Sequence, residues 1–179
     1  MKIISEAELK KEALLDVAKQ MMIAARTAPK GRGIDNLVIA IIEKETIAII
    51  ASKMKEMVAN GGYSEFFIRD AENILLSEVM LLLGTKINPI GLKQCGLCGF
   101  PDCETKNQHP DHPCSFNTGD LGISIGSAVS IASDCRVDNR IMFSAGKAVK
   151  ELNLLGNEVK IIYGIPLSAS SKSPFFDRK

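Results

Sequence analysis

Tryptophan is absent from this 179-residue chain, and aromatic residues make up only 5% of it. Few flat side chains are therefore available for stacking bases. Neither sign of charge is in excess: 22 lysines and arginines face 21 aspartates and glutamates, a formal net charge of +1. Such a balance argues against nucleic acid and against an anionic membrane surface as partners. Long hydrophobic runs are missing too. The most apolar stretch, Leu37 to Ala51, is broken by Glu43, Lys44 and Glu45, and it is too short and too charged to span a bilayer. The first residues contain no apolar core of the signal-peptide kind, so a cytoplasmic protein is expected. There is no GxGxxG after a strand and no Walker A sequence. The two histidines, His109 and His112, sit together in one loop, which leaves no basis for a Ser/His/Asp arrangement. Neither an internal repeat nor an interdomain linker is evident. One domain over 1–179 is expected, and a chain of this length can bury a well-formed core.

What the chain does have is cysteine in one place. Four of its five cysteines, Cys95, Cys98, Cys103 and Cys114, fall within twenty residues, spaced C-x2-C-x4-C-x10-C. In a reducing compartment, clustered cysteines are metal ligands or redox groups more often than disulfides. Four thiolates on a compact, Gly/Pro-rich loop suit a four-iron cluster. Gly96 and Gly99 let the backbone curl, and Leu97 and Phe100 can shield the centre from water. Zinc is the rival, because it also takes four thiolates. Zinc knuckles, however, favour two C-x2-C pairs, and only one is present. His109 and His112 lie between prolines in a polar loop and are expected to be solvated. Cys135, the fifth cysteine, falls on the apolar side of a helical pattern and is expected to be buried.

Hydrophobic period organises the rest. A helix is expected over 6–26, its stripe formed by Leu14, Ala18, Met21 and Ala25, with Pro29, Gly31 and Gly33 ending it. Strands are expected at Leu37–Ile42, at Glu78–Gly84 and at Glu158–Tyr163. Helices are expected over 44–60 and about 64–76, from Asp120 onward, and over 141–154. Residues 85–118 read as an inserted cysteine-rich, metal-binding loop. A loop of that length needs an organiser, and the cysteines supply one. The polar tail from Ser168 to Lys179 reads as a disordered end or an arm onto a partner.

Several segments carry resemblances. Cys-Gly-Leu-Cys-Gly-Phe-Pro-Asp-Cys at 95–103 resembles the start of the four-iron domain of corrinoid iron–sulfur proteins and electron-transport accessory subunits. Cys114 departs from that pattern, arriving sooner than in that family. Ala24-Ala-Arg-Thr-Ala-Pro-Lys-Gly-Arg-Gly-Ile-Asp-Asn36 resembles the helix–loop–strand of nitroreductase-like flavoproteins. The helix that follows Gly119-Asp-Leu-Gly is similar to that fold's central helix, and Gly164-Ile-Pro to the segment after its last strand. The N-terminal Arg-rich phosphate segment and the Gln-Pro-Trp of that family have no counterpart here. At whole-chain level, the combination resembles a family of bacterial and archaeal ferredoxin-domain proteins. These resemblances imply an α/β (α+β) fold, with a mixed or antiparallel sheet flanked by helices. They also imply a homodimer and FMN as a second cofactor. Arg26, Lys30, Arg32 and Asn36 are the candidate cofactor-binding residues, with the three cations suited to a flavin phosphate. The expected function is a [4Fe-4S] redox protein that exchanges electrons with a redox partner and is coupled to a flavin. The alternative is a non-catalytic dimer stapled by zinc.

Overall fold

The computed structural model describes residues 3–176. Among the described residues, four strands form one antiparallel sheet in the order β1-β2-β4-β3. These are β1 (Leu37–Glu43), β2 (Val79–Lys86), β3 (Asp138–Asn139) and β4 (Val159–Ser168). β2 is the spine, paired along its length with β1 on one side and β4 on the other. Its side chains alternate between faces, as a pleated strand requires. Met80 and Leu82 enter one core, with α2 (Lys44–Ala59), α3 (Phe66–Ile74) and α6 (Phe143–Glu151). Val79, Leu81 and Leu83 enter the other, with α1 (Glu6–Thr27) and α5 (Ser115–Asp134). Burial on both faces explains why β2 reads as an unbroken apolar run. Each of its aliphatic side chains contributes about 1.5–3 kcal/mol by leaving water.

The helices follow their stripes. Leu14, Ala18, Met21 and Ala25 are the buried residues of α1. Its first turn is fixed by the Glu8 carboxylate, which accepts from the Ser5 backbone N–H (2.7 Å) and hydroxyl (2.8 Å). α6 lies unusually close to β4: a Cβ on Gly146 would stand 1.8 Å from the Ile162 carbonyl oxygen. Only glycine permits that approach.

Four expectations need correction. First, β4 runs on through Gly164-Ile-Pro-Leu to Ser168. Pro166 is tolerated there because Gly164, two residues earlier, exchanges backbone hydrogen bonds with Met142 (2.8 and 3.1 Å). Pro166 therefore faces the same side, at the point where β3 has already ended and no ladder partner is lost. Second, residues 85–118 are not one loop. β2 continues to Lys86, a short α4 occupies Cys103–Asn107, and α5 starts at Ser115, five residues before the apolar period becomes visible. Third, Cys135 is exposed, because α5 ends at Asp134 and Cys135 is its C-cap. Fourth, the tail through residue 176 docks on its own chain. Phe175 is buried in the first core, Arg140 Nη1 donates to its carbonyl at 2.7 Å, and the Arg140 guanidinium sits 5.1 Å from the Phe176 ring centre. Residues 177–179 lie outside the described residues.

Candidate functional site

α1 and α5 pack side by side on the second face of the sheet. Where the chain leaves α1, it turns across the N-terminal half of α5. Lys30 holds this turn: its ammonium donates to the carbonyls of Ala25 (2.9 Å), Ala28 (2.6 Å) and Arg26. A cation on the last carbonyls of a helix complements the negative end of its dipole. Burial lowers the Lys30 pKa, reinforced by Arg26 and opposed by Asp35 and Asp120. Arg26 pairs with Asp35 at 2.6 Å and also reaches the Leu37 carbonyl at 3.3 Å. Arg32 takes a positive φ of 54° and donates to the Ile90 carbonyl at 2.8 Å. All three cations expected at a flavin phosphate thus have partners within the chain.

Asn36 is the fourth expected cofactor residue. It is buried within a small amide network. Asn88 Nδ2 donates to Asn36 Oδ1 at 3.1 Å. Asn117 then holds Asn88 at both backbone groups: Oδ1 accepts its N–H at 2.7 Å, and Nδ2 donates to its carbonyl at 3.1 Å. Among the described residues, Asn36 Nδ2 has no hydrogen-bond partner. The sheet edge, the exit from β2 and α5 are thereby joined just before the cysteine segment begins.

Sequence reasoning passed over three of these residues. Asn117, Asp120 and Ser124 form a buried polar line on α5. Asp120 Oδ1 accepts the Gly31 N–H at 3.0 Å and ties the turn after α1 to α5. The signal was available: polar residues at i, i+3 and i+7 of an otherwise apolar helix share one face.

Between this turn, α5 and the cysteine segment lies a cleft of about 430 Å³. It is lined by Pro29, Lys30, Gly31, Leu97, Ser115, Phe116, Gly119, Asp120 and Ile123. Leu97 comes from within the C-x2-C turn, so the cleft and the cysteine loop share a wall.

The loop itself is shaped by positive φ angles at Gln94 (58°), Gly96 (68°) and Gly99 (89°). Gly99 N–H closes a turn on the Gly96 carbonyl at 3.1 Å. Two tethers draw that turn to the start of α5. Ser115 Oγ donates to the Leu97 carbonyl at 2.9 Å, and His112 Nε2 lies 3.1 Å from the Cys98 carbonyl. Phe100 stacks on His109 (4.9 Å, 17°) and meets His112 edge-on (4.9 Å, 88°). Both histidines are exposed, which matches the solvated reading. Asp102 caps α4 by accepting the Thr105 N–H at 2.7 Å, and that hydrogen bond holds its carboxyl below the usual range.

The C-x2-C turn is therefore brought beside Cys114, and Cys103 is carried on α4. Cys95, Cys98 and Cys103 are half-buried, and Cys114 is buried at the N-cap of α5. All four are free thiols. Among the described residues, no three His, Cys, Asp or Glu side chains converge as a ready metal-holding group. The donor chemistry nevertheless fits a soft metal. Four thiols lie on a curled backbone, and one stands at the positive end of a twenty-residue helix, where negative charge is stabilised.

Comparison with known proteins fits this architecture. A nitroreductase family protein from Clostridium novyi NT has a TM-score of 0.59 at 15% identity, over 98% of this chain and 79% of that one. A nitroreductase with bound FMN from Desulfitobacterium hafniense DCB-2 has a TM-score of 0.58 at 14% identity, over 96% and 81%. These likenesses show a nitroreductase fold. An uncharacterized protein from Archaeoglobus fulgidus is 39% identical over 183 residues, spanning 98% of this chain and 97% of that protein. Residues 111–178 match the family described as "Uncharacterized protein containing a ferredoxin domain (DUF2148)". The matched stretch includes Cys114, while Cys95, Cys98 and Cys103 precede it. With a relative this similar along its whole length, the chain belongs to that ferredoxin-domain family, built on the nitroreductase fold.

Proposed function

We propose that this protein is a cytoplasmic, homodimeric redox protein that holds a [4Fe-4S] cluster on Cys95, Cys98, Cys103 and Cys114. The observation that carries the proposal is the gathering of four free thiols within twenty residues, on a loop tethered to the start of α5. When bound, such a cluster carries one electron at a time, and a flavin would exchange single electrons for pairs. The chain's own part is to position the thiols. Cys114 presents its sulfur at the helix N-terminus. Gly96 and Gly99, both at positive φ, let the backbone curl between the cysteines, and Phe100 packs against His109 and His112.

The adjoining 430 Å³ cleft suits the flat ring system of FMN, which a neighbour of the same fold binds. The fit at the phosphate is poorer, because Arg26, Lys30 and Arg32 already hold internal acceptors. The cluster is therefore the better-supported cofactor. The outer face of α5, with Ile123 exposed, is the proposed dimer surface. No helix among the described residues is long and apolar enough to cross a membrane.

The test is a visible spectrum of protein purified without oxygen, with iron, sulfide, zinc and flavin measured on the same sample. About four irons per chain, with broad absorption bleached by dithionite, is the expected result. One zinc and no colour would replace the cluster with a structural site. Neither metal would remove the reading.

A further inference from the structure

Lys106 lies in the middle of the cysteine loop, yet it is only 2% exposed. Lysine is almost never buried to that degree unless it is paired. Among the described residues, the hydrogen bond its ammonium makes is to the Pro110 carbonyl and is long at 3.4 Å, although an ammonium carries three donors. Among the described residues it takes part in no ion pair. Other inward cations are accounted for: Lys30 covers three carbonyls, and Arg26 has Asp35. The acids beside Lys106 are turned elsewhere. Asp102 caps α4, and Glu104 is exposed. A buried, uncompensated ammonium is costly, so something negative belongs near it.

The cysteines supply that charge. Lys106 stands one helical turn beyond Cys103 on α4, so the two side chains share a face. Four cysteinates around one zinc leave a net charge of about −2, and so do four around an oxidised four-iron cluster. We propose that Lys106 is the buried counter-ion of this tetrathiolate centre, a positioning residue that balances the charge its ligands leave. The inference rests on the assignment of the four cysteines as ligands, and it holds for either metal. It implies that the metal-free loop is strained by an unanswered charge, which binding relieves. One-electron reduction of an iron cluster adds a further negative charge, so Lys106 also favours the reduced form.

The test compares wild type with Lys106→Met, which keeps length and removes charge, and with Lys106→Arg, which restores charge. Lys106→Gln replaces the Met variant if that fails to accumulate. Zinc alone serves as the first probe, in competition with a chelator. Loss of the charge is expected to weaken zinc binding about 10- to 100-fold, the usual effect of removing a partner behind the ligands. It should also raise the melting temperature of the metal-free protein and shrink the gain on adding zinc. In protein carrying iron, the midpoint potential should shift to more negative values. The Arg variant should recover affinity and potential. Unchanged zinc affinity, metal-free melting temperature and potential in a fully loaded Met variant would overturn the counter-ion role alone. A wild type that takes neither zinc nor iron would overturn the ligand assignment, and the counter-ion with it.

Discussion

Cys114 is the proposed ligand whose spacing departs most from the resemblance, and Cys114→Ser tests it with little disturbance to the fold. Cys114 is buried, 5% exposed, and is the N-cap of α5, yet its sulfur makes no capping hydrogen bond. Serine is nearly the same size and a far better N-cap. Its hydroxyl can accept the Asn117 N–H at the third helical position, which is worth typically about 1 kcal/mol. Against this stands the burial of a hydroxyl, about 1–3 kcal/mol if it were left unpaired and less once it is bonded. The two terms nearly cancel, so the metal-free variant should lie within about 1 kcal/mol of wild type. In a domain of this size that is a shift of about 2–4 °C in melting temperature. Metal content should behave quite differently, because the hydroxyl is a poor ligand for a soft metal. Bound iron, or zinc if zinc is the resident metal, should fall to a small fraction of the wild-type value. Paired measurements of thermal melting and metal content read both effects on one sample. Cys135→Ser, at the exposed C-cap of the same helix, is the control and should change neither. A Cys114→Ser protein that keeps its full metal complement would refute Cys114 as the fourth ligand. One that unfolds would refute the near-cancellation at the cap.

Other consequences can be checked directly. Gly146→Ala would place a Cβ 1.8 Å from the Ile162 carbonyl oxygen. Overpacking of about 1–3 kcal/mol or more should outweigh the ~1 kcal/mol helix-propensity gain, so its denaturation midpoint should fall, and an unchanged midpoint would contradict the close α6–β4 approach. For Asp35, burial raises the pKa, but the Arg26 guanidinium, the Leu37 N–H and the charge of Lys30 outweigh it, leaving the carboxyl below its ordinary value. A lowered folded pKa gives stability that is present above the unfolded value near ~3.9 and lost as pH falls through the folded one. Asp35→Asn should therefore flatten the acid limb of a denaturation-versus-pH series below about pH 4. The effect will be modest, because the pair is partly exposed. Ile123→Glu, on the exposed face of α5, should turn the proposed dimer into a monomer in sedimentation and remove the concentration dependence of its melting temperature; a persisting dimer would move the interface elsewhere.

The sequence by itself determined the parts of this protein that are periodic or locally concentrated. The stripe of α1 from Leu14 to Ala25 and the apolar run of β2 follow from local pattern, because side-chain direction repeats at 3.6 or 2 residues, and the clustering of Cys95, Cys98 and Cys103 is read directly from the chain. Features that depend on what lies across a gap were decided only by the tertiary structure. Cys135 carries the apolar pattern of α5, but the helix stops one residue short, and the side chain turns to solvent. Arg26, Lys30 and Arg32 look like anion binders in one dimension. In three dimensions they are used by Asp35, by the carbonyls ending α1 and by Ile90. Asn88 and Asn117 are 29 residues apart, and nothing local reveals that they join the cysteine segment to α5. Lys106 would pass for a solvated charge until its burial is seen. A charge in a polar loop has no period to betray it, and only the packing around it decides whether water or a metal centre must answer it.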